Sequence, residues 1–228
     1  MNVPDKKHRL VILGDSAFAE IAHEYFTHDS PYEVVAFSVE REYLKRSELR
    51  GLPLVALEDL ADRFCPADHC FYAAVVYTQL NRLRARLFET AKAMGYKPAS
   101  YVSSHAFVWK NVKLGEHCFI FEDNTVQPFV EIGDNVVLWS GNHIGHHSRV
   151  GNHCFFASHV VLSGFCSVGA HSFVGVNATV ANNVEIAEDN WIGPGVTIAR
   201  NTEANQLFKR ERSKPAEISA RAFFRVKG

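Results

Sequence analysis

From Val108 to Ile198 a large aliphatic residue returns at every sixth position. The series is Val108, Leu114, Ile120, Val126, Ile132, Leu138, Ile144, Val150, Phe156, Leu162, Val168, Val174, Val180, Ile186, Ile192 and Ile198, and only Phe156 is not Val, Ile or Leu. The next residue is usually small, as at Gly115, Gly133, Gly151 and Gly169. Four places after each aliphatic comes another compact residue, such as Cys118, Ser148, Cys154, Cys166 or Ala178. A period of six with small corner residues specifies a parallel β-helix. Three hexads close one triangular coil of eighteen residues, with the aliphatics stacked inside. The fifth position also points inward, and the third and fourth face outward near each corner. Each coil buries its apolar side only against its neighbours.

The first hundred residues follow a different rhythm. "RLVILG" reads as a strand ending at Gly14, and "SAFAEIAHEYF" as a helix with Ser16 as N-cap. "YEVVAFS" is a second strand, and "LPLVALEDLADRF" a short strand followed by a helix. "HCFYAAVVY" is a buried strand, "NRLRARLFETAKAMG" a helix closed by Gly95, and "PASYVS" a last strand. Repeated βα units imply a small parallel, Rossmann-like sheet over 1–104. The β-helix then occupies 105–201, and 202–228 form a tail. Ligands of such sheets collect at the carboxyl ends of the strands, here near Gly14-Asp15-Ser16 and Ser38 to Glu40.

A formal charge of −1 gives no support for nucleic acid as an obligate partner. With neither an eighteen-residue apolar run nor a leader-like start, the expectation is a cytoplasmic protein without membrane contact. Five cysteines without a CxxC pair argue against a disulfide framework and a zinc ribbon. Cys118, Cys154 and Cys166 fall instead on inward positions.

The repeat together with "VILGDSAFAEIA", "EVVAFSVE", "NRLRARLFETAKAMGYK", "IGHHSRVGNHCFFAS" and "VGVNATVANNVEIAEDNWIGPGVTI" resembles the hexapeptide-repeat sugar acetyltransferases. Within that family the sialic-acid O-acetyltransferases and the bacillosamine-pathway N-acetyltransferases are the most similar in layout. The resemblance implies a left-handed prism, a homotrimer, and acetyl-CoA in the grooves between subunits. It further implies acetyl transfer to an amino or hydroxyl group of a sugar, nucleotide-linked, in surface-glycan biosynthesis.

"SGNHIGHHSRVGNHC", residues 140–154, holds four histidines. In the hexad frame His146 and His147 take the third and fourth positions after Ile144, while His143 and His153 fall in neighbouring hexads and cannot converge on one ion. His117, His153 and His171 share the fourth position with Asn135 and Asp189, which reads as a polar ladder along one edge. By the resemblance, His146 is the general base. A neutral imidazole can take the proton that an attacking amine or hydroxyl loses at a thioester carbonyl. The family places a carboxylate next to this histidine; here that residue is His147. One coil on, Gly164 matches the glycine whose N–H holds the oxyanion. Phe155, Val176 and Pro194 match the acetyl-CoA groove, with Phe155 in place of a histidine. Asn182 reads as a plain corner residue.

The nucleotide-sugar side carries over less completely. Ser16, Ala17 and Phe18 replace a glycine-rich turn, Glu40 is what remains of an acidic pair, and Asn81 and Arg84 match a pair at a helix start where the charge meets phosphate. In the tail, Lys209, Arg210, Arg212 and Lys214 are placed to meet CoA phosphates, and Phe223 and Phe224 to cap the prism. No metal is required. Two rivals stay open: a metal-dependent enzyme like the γ-class carbonic anhydrases, which share the prism, and a non-catalytic trimeric assembly module.

Overall fold

The structure, a computed structural model, describes residues 5–211 and 213–226. An α/β unit comes first. Strands β1 (His8–Leu13), β2 (Tyr32–Val39), β3 (Glu48–Leu49), β4 (Leu52–Ala56), β5 (His69–Ala73) and β6 (Lys97–Pro98) form one sheet in the order β3-β4-β2-β1-β5-β6. Every pairing is parallel except β3 with β4. Helix α1 (Ala17–His28) follows β1, a short α2 (Leu60–Arg63) follows β4, and α3 (Arg82–Ala93) follows β5. The apolar run "HCFYAAVVY" is strand only to Ala73, and residues 74–80 leave the sheet. Left-handed backbone at Gln79, Leu80 and Asn81 then turns the chain into α3.

From Tyr101 onward the chain winds into the left-handed parallel β-helix, with two-residue strands on three faces. The first face stacks seven strands, from Tyr101–Val102 to Leu207–Phe208. The second carries six, from Phe107–Val108 to Thr197–Ile198, and the third five, from Lys113–Leu114 to Glu185–Ile186. The stack is therefore longer than 105–201 at both ends. At about 4.8 Å per strand the first face is roughly 29 Å long. Pairing keeps an eighteen-residue register, as in Phe119 with Val137 and Phe155 with Phe173. The hexad frame thus runs unbroken to Ile198. Beyond it Trp191 pairs with Leu207, sixteen residues on, so the last coil is two residues short.

The inward aliphatics and Cys118, Cys154 and Cys166 form one continuous buried column. Leu114 is exposed because it opens the third face with no coil beneath it. At the corners, the fourth hexad position is left-handed from His117 to Gly195: His117, Asp123, Phe129, Asn135, His147, His153, His159, Phe165, His171, Asn177, Asn183 and Asp189 all have φ between 55° and 65°, and Gly141 and Gly195 are also positive. Asn, Asp and His tolerate that conformation better than other side-chain-bearing residues. Five of the histidines are thereby accounted for by backbone geometry alone.

The α/β unit is seated on the first face. Phe18 and Phe26 of α1 pack with Tyr72, Tyr101, Phe119 and Phe121 in one buried aromatic cluster. Tyr25 Oη donates to Glu122 at 2.7 Å and Tyr101 Oη to Asp29 at 2.7 Å. Phe223 and Phe224, expected to cap the prism, are instead exposed, by 66% and 74%. Phe223 ends the short helix α4 (Ala220–Phe223) and Phe224 follows it, and that helix buries no residue.

Candidate active site

His146 and His147 occupy the corner between the second and third faces, and both are exposed. The His146 N–H donates to Gln127 Oε1 at 2.9 Å. His147 is clamped between the rings of Phe129 (centroids 4.6 Å apart) and Phe165 (4.8 Å), from the coils on either side. The Nδ1 atoms of the two histidines are 3.1 Å apart. One of them must donate. If His146 Nδ1–H donates to His147 Nδ1, the His146 Nε2 lone pair is left free to accept a proton.

Gly164 lies one coil above His146. A Cβ there would meet the His146 ring at 2.7 Å, so only glycine leaves the imidazole its seat. The Gly164 N–H, expected to hold an oxyanion, donates to Asn182 Oδ1 at 3.0 Å. The same corner bond recurs from Glu116 N to Asp134 and from Asp134 N to Asn152. That amide is already engaged, which the sequence did not signal.

Phe155, Val176 and Pro194 line a single groove of about 400 Å³. Tyr77, Trp139, Phe173 and Trp191 complete its aromatic wall. Tyr77, read from sequence as strand, comes from the segment after β5, and its ring centroid is 4.4 Å from that of Phe173. The groove lies along the first face and its corner with the second, whereas His146 is at the next corner. One chain does not bring them together.

A second cavity, about 300 Å³, opens at the carboxyl ends of β1, β2 and β5. Ser16 and Glu40 line it. Both Glu40 oxygens accept from Arg86, at 2.6 and 2.9 Å, and this pairing holds the carboxyl below its ordinary range. Ala17 is exposed on the first turn of α1 and Phe18 turns away into the interdomain cluster, so neither forms the wall.

Asn81 and Arg84 do not meet a phosphate. Both are fully buried between the α/β unit and the prism. Arg84 Nε donates to Asn135 Oδ1 at 3.0 Å, and its Nη2 to the carbonyls of Asn135, His153 and Cys154. Nη1 reaches the Val75 and Val76 carbonyls and Asn81 Oδ1. Asn81 Nδ2 donates to the carbonyls of His171 and Ser172. With the guanidinium donors spent on these oxygens, the pair fastens the two units together. Burial lowers the Arg84 pKa to about 10.

In the ladder beneath it His117 and Asn135 are fully buried, while His153 and His171 are half-buried. His117 Nδ1 is 3.0 Å from Asn135 Oδ1, Asn135 Nδ2 is 3.0 Å from His153 Nδ1, and His153 stacks on His171. The Ala73 N–H donates to His117 Nε2 at 2.8 Å. Burial pushes His117 down to about 3 and His153 to about 4, so both rest neutral near pH 7. Among the described residues no group of three or more His, Cys, Asp or Glu side chains is placed to hold a metal ion. No helix among them is long and apolar enough to cross a membrane.

In the tail, Lys209 and Arg210 lie beside Gly195 and Val196, and Lys214 is exposed. Arg212 falls outside the described residues.

Residues 129–164 match the family described as bacterial transferase hexapeptide (six repeats). No curated protein sequence matches the chain. Among solved structures, PerB from Caulobacter crescentus in complex with CoA and GDP-perosamine is 24% identical. That match covers 87% of this chain and 92% of that one, with a TM-score of 0.76. The acetyltransferase domain of PglB from Neisseria gonorrhoeae FA1090, in complex with acetyl coenzyme A, is 18% identical over 88% and 95%, also at 0.76. WeeI from Acinetobacter baumannii AYE is 17% identical over 84% and 96%, at 0.56. The fold is common to all three.

Proposed function

We propose that this chain, a hexapeptide-repeat protein with the fold of the sugar N-acetyltransferases, moves an acetyl group from acetyl-CoA to an amino or hydroxyl group of a nucleotide-linked sugar. The observation that carries the reading is the seat of His146: its imidazole lies over Gly164, its Nδ1 contacts His147, and it is open to solvent. The left-handed corner accounts for His117, His147, His153, His159 and His171, but His146, at the third position, owes nothing to it. The complexes of PerB with CoA and GDP-perosamine and of PglB with acetyl coenzyme A support the choice of substrates.

The acceptor nitrogen or oxygen attacks the thioester carbonyl, and His146 Nε2 takes the proton it loses. Collapse of the tetrahedral intermediate breaks the C–S bond, and the departing CoA sulfur recovers that proton from His146. His147 orients the ring through Nδ1, where the related enzymes are expected to use a carboxylate. For the Gly164 N–H to hold the oxyanion, Asn182 must release it. The Phe155–Val176–Pro194 groove takes the CoA arm, and the cavity beside Ser16 and Glu40 takes the nucleotide.

Because His146 and that groove lie at different edges of one prism, the complete site is built between copies. Phe107, Trp109, Phe129, Val161 and Phe165 give the second face and its corner an exposed apolar surface, which a homotrimer buries. Acetyl transfer from acetyl-CoA to a panel of nucleotide-linked amino sugars, with free sugars as controls, tests the reading. Absence of turnover with every member would end it.

A further inference from the structure

We infer that Ser38 anchors the heterocyclic base of the nucleotide, which makes it a specificity-determining residue; the inference rests on the nucleotide-sugar reading above. Ser38 stands at the carboxyl end of β2 and lines the 300 Å³ cavity. It is fully buried, and its Oγ has no hydrogen-bond partner among the described residues. The fold uses only its backbone there: the Gly14 N–H donates to the Ser38 carbonyl at 2.7 Å. A buried hydroxyl with nothing to bond is a cost to the ligand-free chain, and native proteins rarely carry one without a use.

The walls decide which part of a nucleotide sugar enters. Leu13, Val39, Leu57, Val75, Leu83 and Leu87 make the cavity aliphatic. The other polar side chains that line it, Asp15, Ser16, Glu40, Tyr43 and Thr78, are all partly or fully exposed, so a hexose pushed inward past them would leave most of its hydroxyls unpaired against Ser38. A diphosphate needs cations, and the arginines nearby are outside, with Arg86 on Glu40 and Arg46 on Asp15, both partly exposed to solvent. A planar base fits the chemistry: apolar faces against leucine and valine, and a polar edge for Ser38 Oγ. At about 300 Å³ the cavity is at the small end of ligand sites, which suits one moiety rather than the whole nucleotide sugar. The base therefore points inward, and the diphosphate lies at the mouth near Arg46 and Arg86. Glu40, with both oxygens on Arg86, is not free to read the base; Ser38 is.

Calorimetry with GDP and with UDP on the wild-type chain and on Ser38→Ala tests this, together with the thermal midpoint of each ligand-free protein. The expected result is nucleoside diphosphate binding by the wild type and about 10-fold weaker binding of the preferred one by Ser38→Ala, one hydrogen bond's worth. The ligand-free variant should melt no lower than the wild type, since an unpaired hydroxyl has been removed. Equal affinities for the two proteins would overturn the role of Ser38 while leaving the nucleotide reading intact. A lower midpoint for Ser38→Ala would overturn it too, by making the hydroxyl structural. If the wild type binds neither nucleotide, both the reading and the inference fall.

Discussion

His146 and His147 hold their rings at 87° to one another with their Nδ1 atoms 3.1 Å apart. Neighbours in sequence achieve this because the backbone turns left-handed at His147, whose φ is 59°, and because Phe129 and Phe165 sandwich its ring. The second imidazole is thus fixed by packing, and the first is steered by it. Replacing His146 by Ala is expected to lower kcat about 10²–10⁴-fold, the usual worth of a general base. The oligomeric state, measured by light scattering, should not change. Full activity in this variant would falsify the base assignment.

His147→Glu supplies a carboxylate where an imidazole now orients His146, and a charged partner stabilises the imidazolium formed during transfer. A rise in kcat of roughly 3–10-fold is the expected outcome. His147→Ala should move it by a similar factor the other way, and steady-state kinetics on the two variants separates orientation from incidental contact.

Gly164→Ala puts a methyl group into the His146 ring. The ring must leave its seat, so kcat should fall by roughly the same 10²–10⁴ as removal of the base. Asn182→Ala frees the Gly164 N–H instead, and activity should be kept or increased. A large loss on Asn182→Ala would mean that the amide works through Asn182 and not on the substrate.

Arg84→Met removes the guanidinium donors from the carbonyls of Val75, Val76, Asn135, His153 and Cys154. We expect a loss of about 3–5 kcal/mol in urea unfolding, as when one side of a buried charged network is deleted. Affinity for a nucleotide, measured well below the unfolding transition, should hardly move. A selective loss of nucleotide affinity would restore Arg84 as a phosphate ligand.

His117 and His153 stay neutral in the folded chain, at pKa values of about 3 and about 4, well below the ordinary histidine value of 6.5. The unfolded chain therefore binds protons that the folded one refuses once the pH drops below 6.5. Stability from this pair is complete above that pH and drains away between 6.5 and about 3. Thermal midpoints measured from pH 7.5 to 4 should fall with pH, and less steeply for His153→Asn.

The prism was legible because one aliphatic in six is a strong and redundant signal, so the frame of Val108 to Ile198 survives any single exception such as Phe156. The left-handed corner was harder to see. Its occupants include Phe129 and Phe165 as well as His and Asn, and an aromatic at positive φ has no sequence signature. Arg84 was misread for a related reason: in sequence, nothing separates a guanidinium that meets a phosphate from one that meets backbone carbonyls. Phe18 looked like part of a ligand turn because only the first face reveals what α1 packs against. The short last coil hides in a stretch without the hexad, and the idle hydroxyl of Ser38 can be recognised only once its surroundings are known.

The buried guanidinium of Arg84 has a mechanical corollary. Its donors grip both halves of the molecule at once, so the α/β unit has no hinge about which to swing towards the prism. The distance between the two cavities is then a constant of the scaffold, and whatever reach the reaction demands has to come from the supple arms of the ligands themselves.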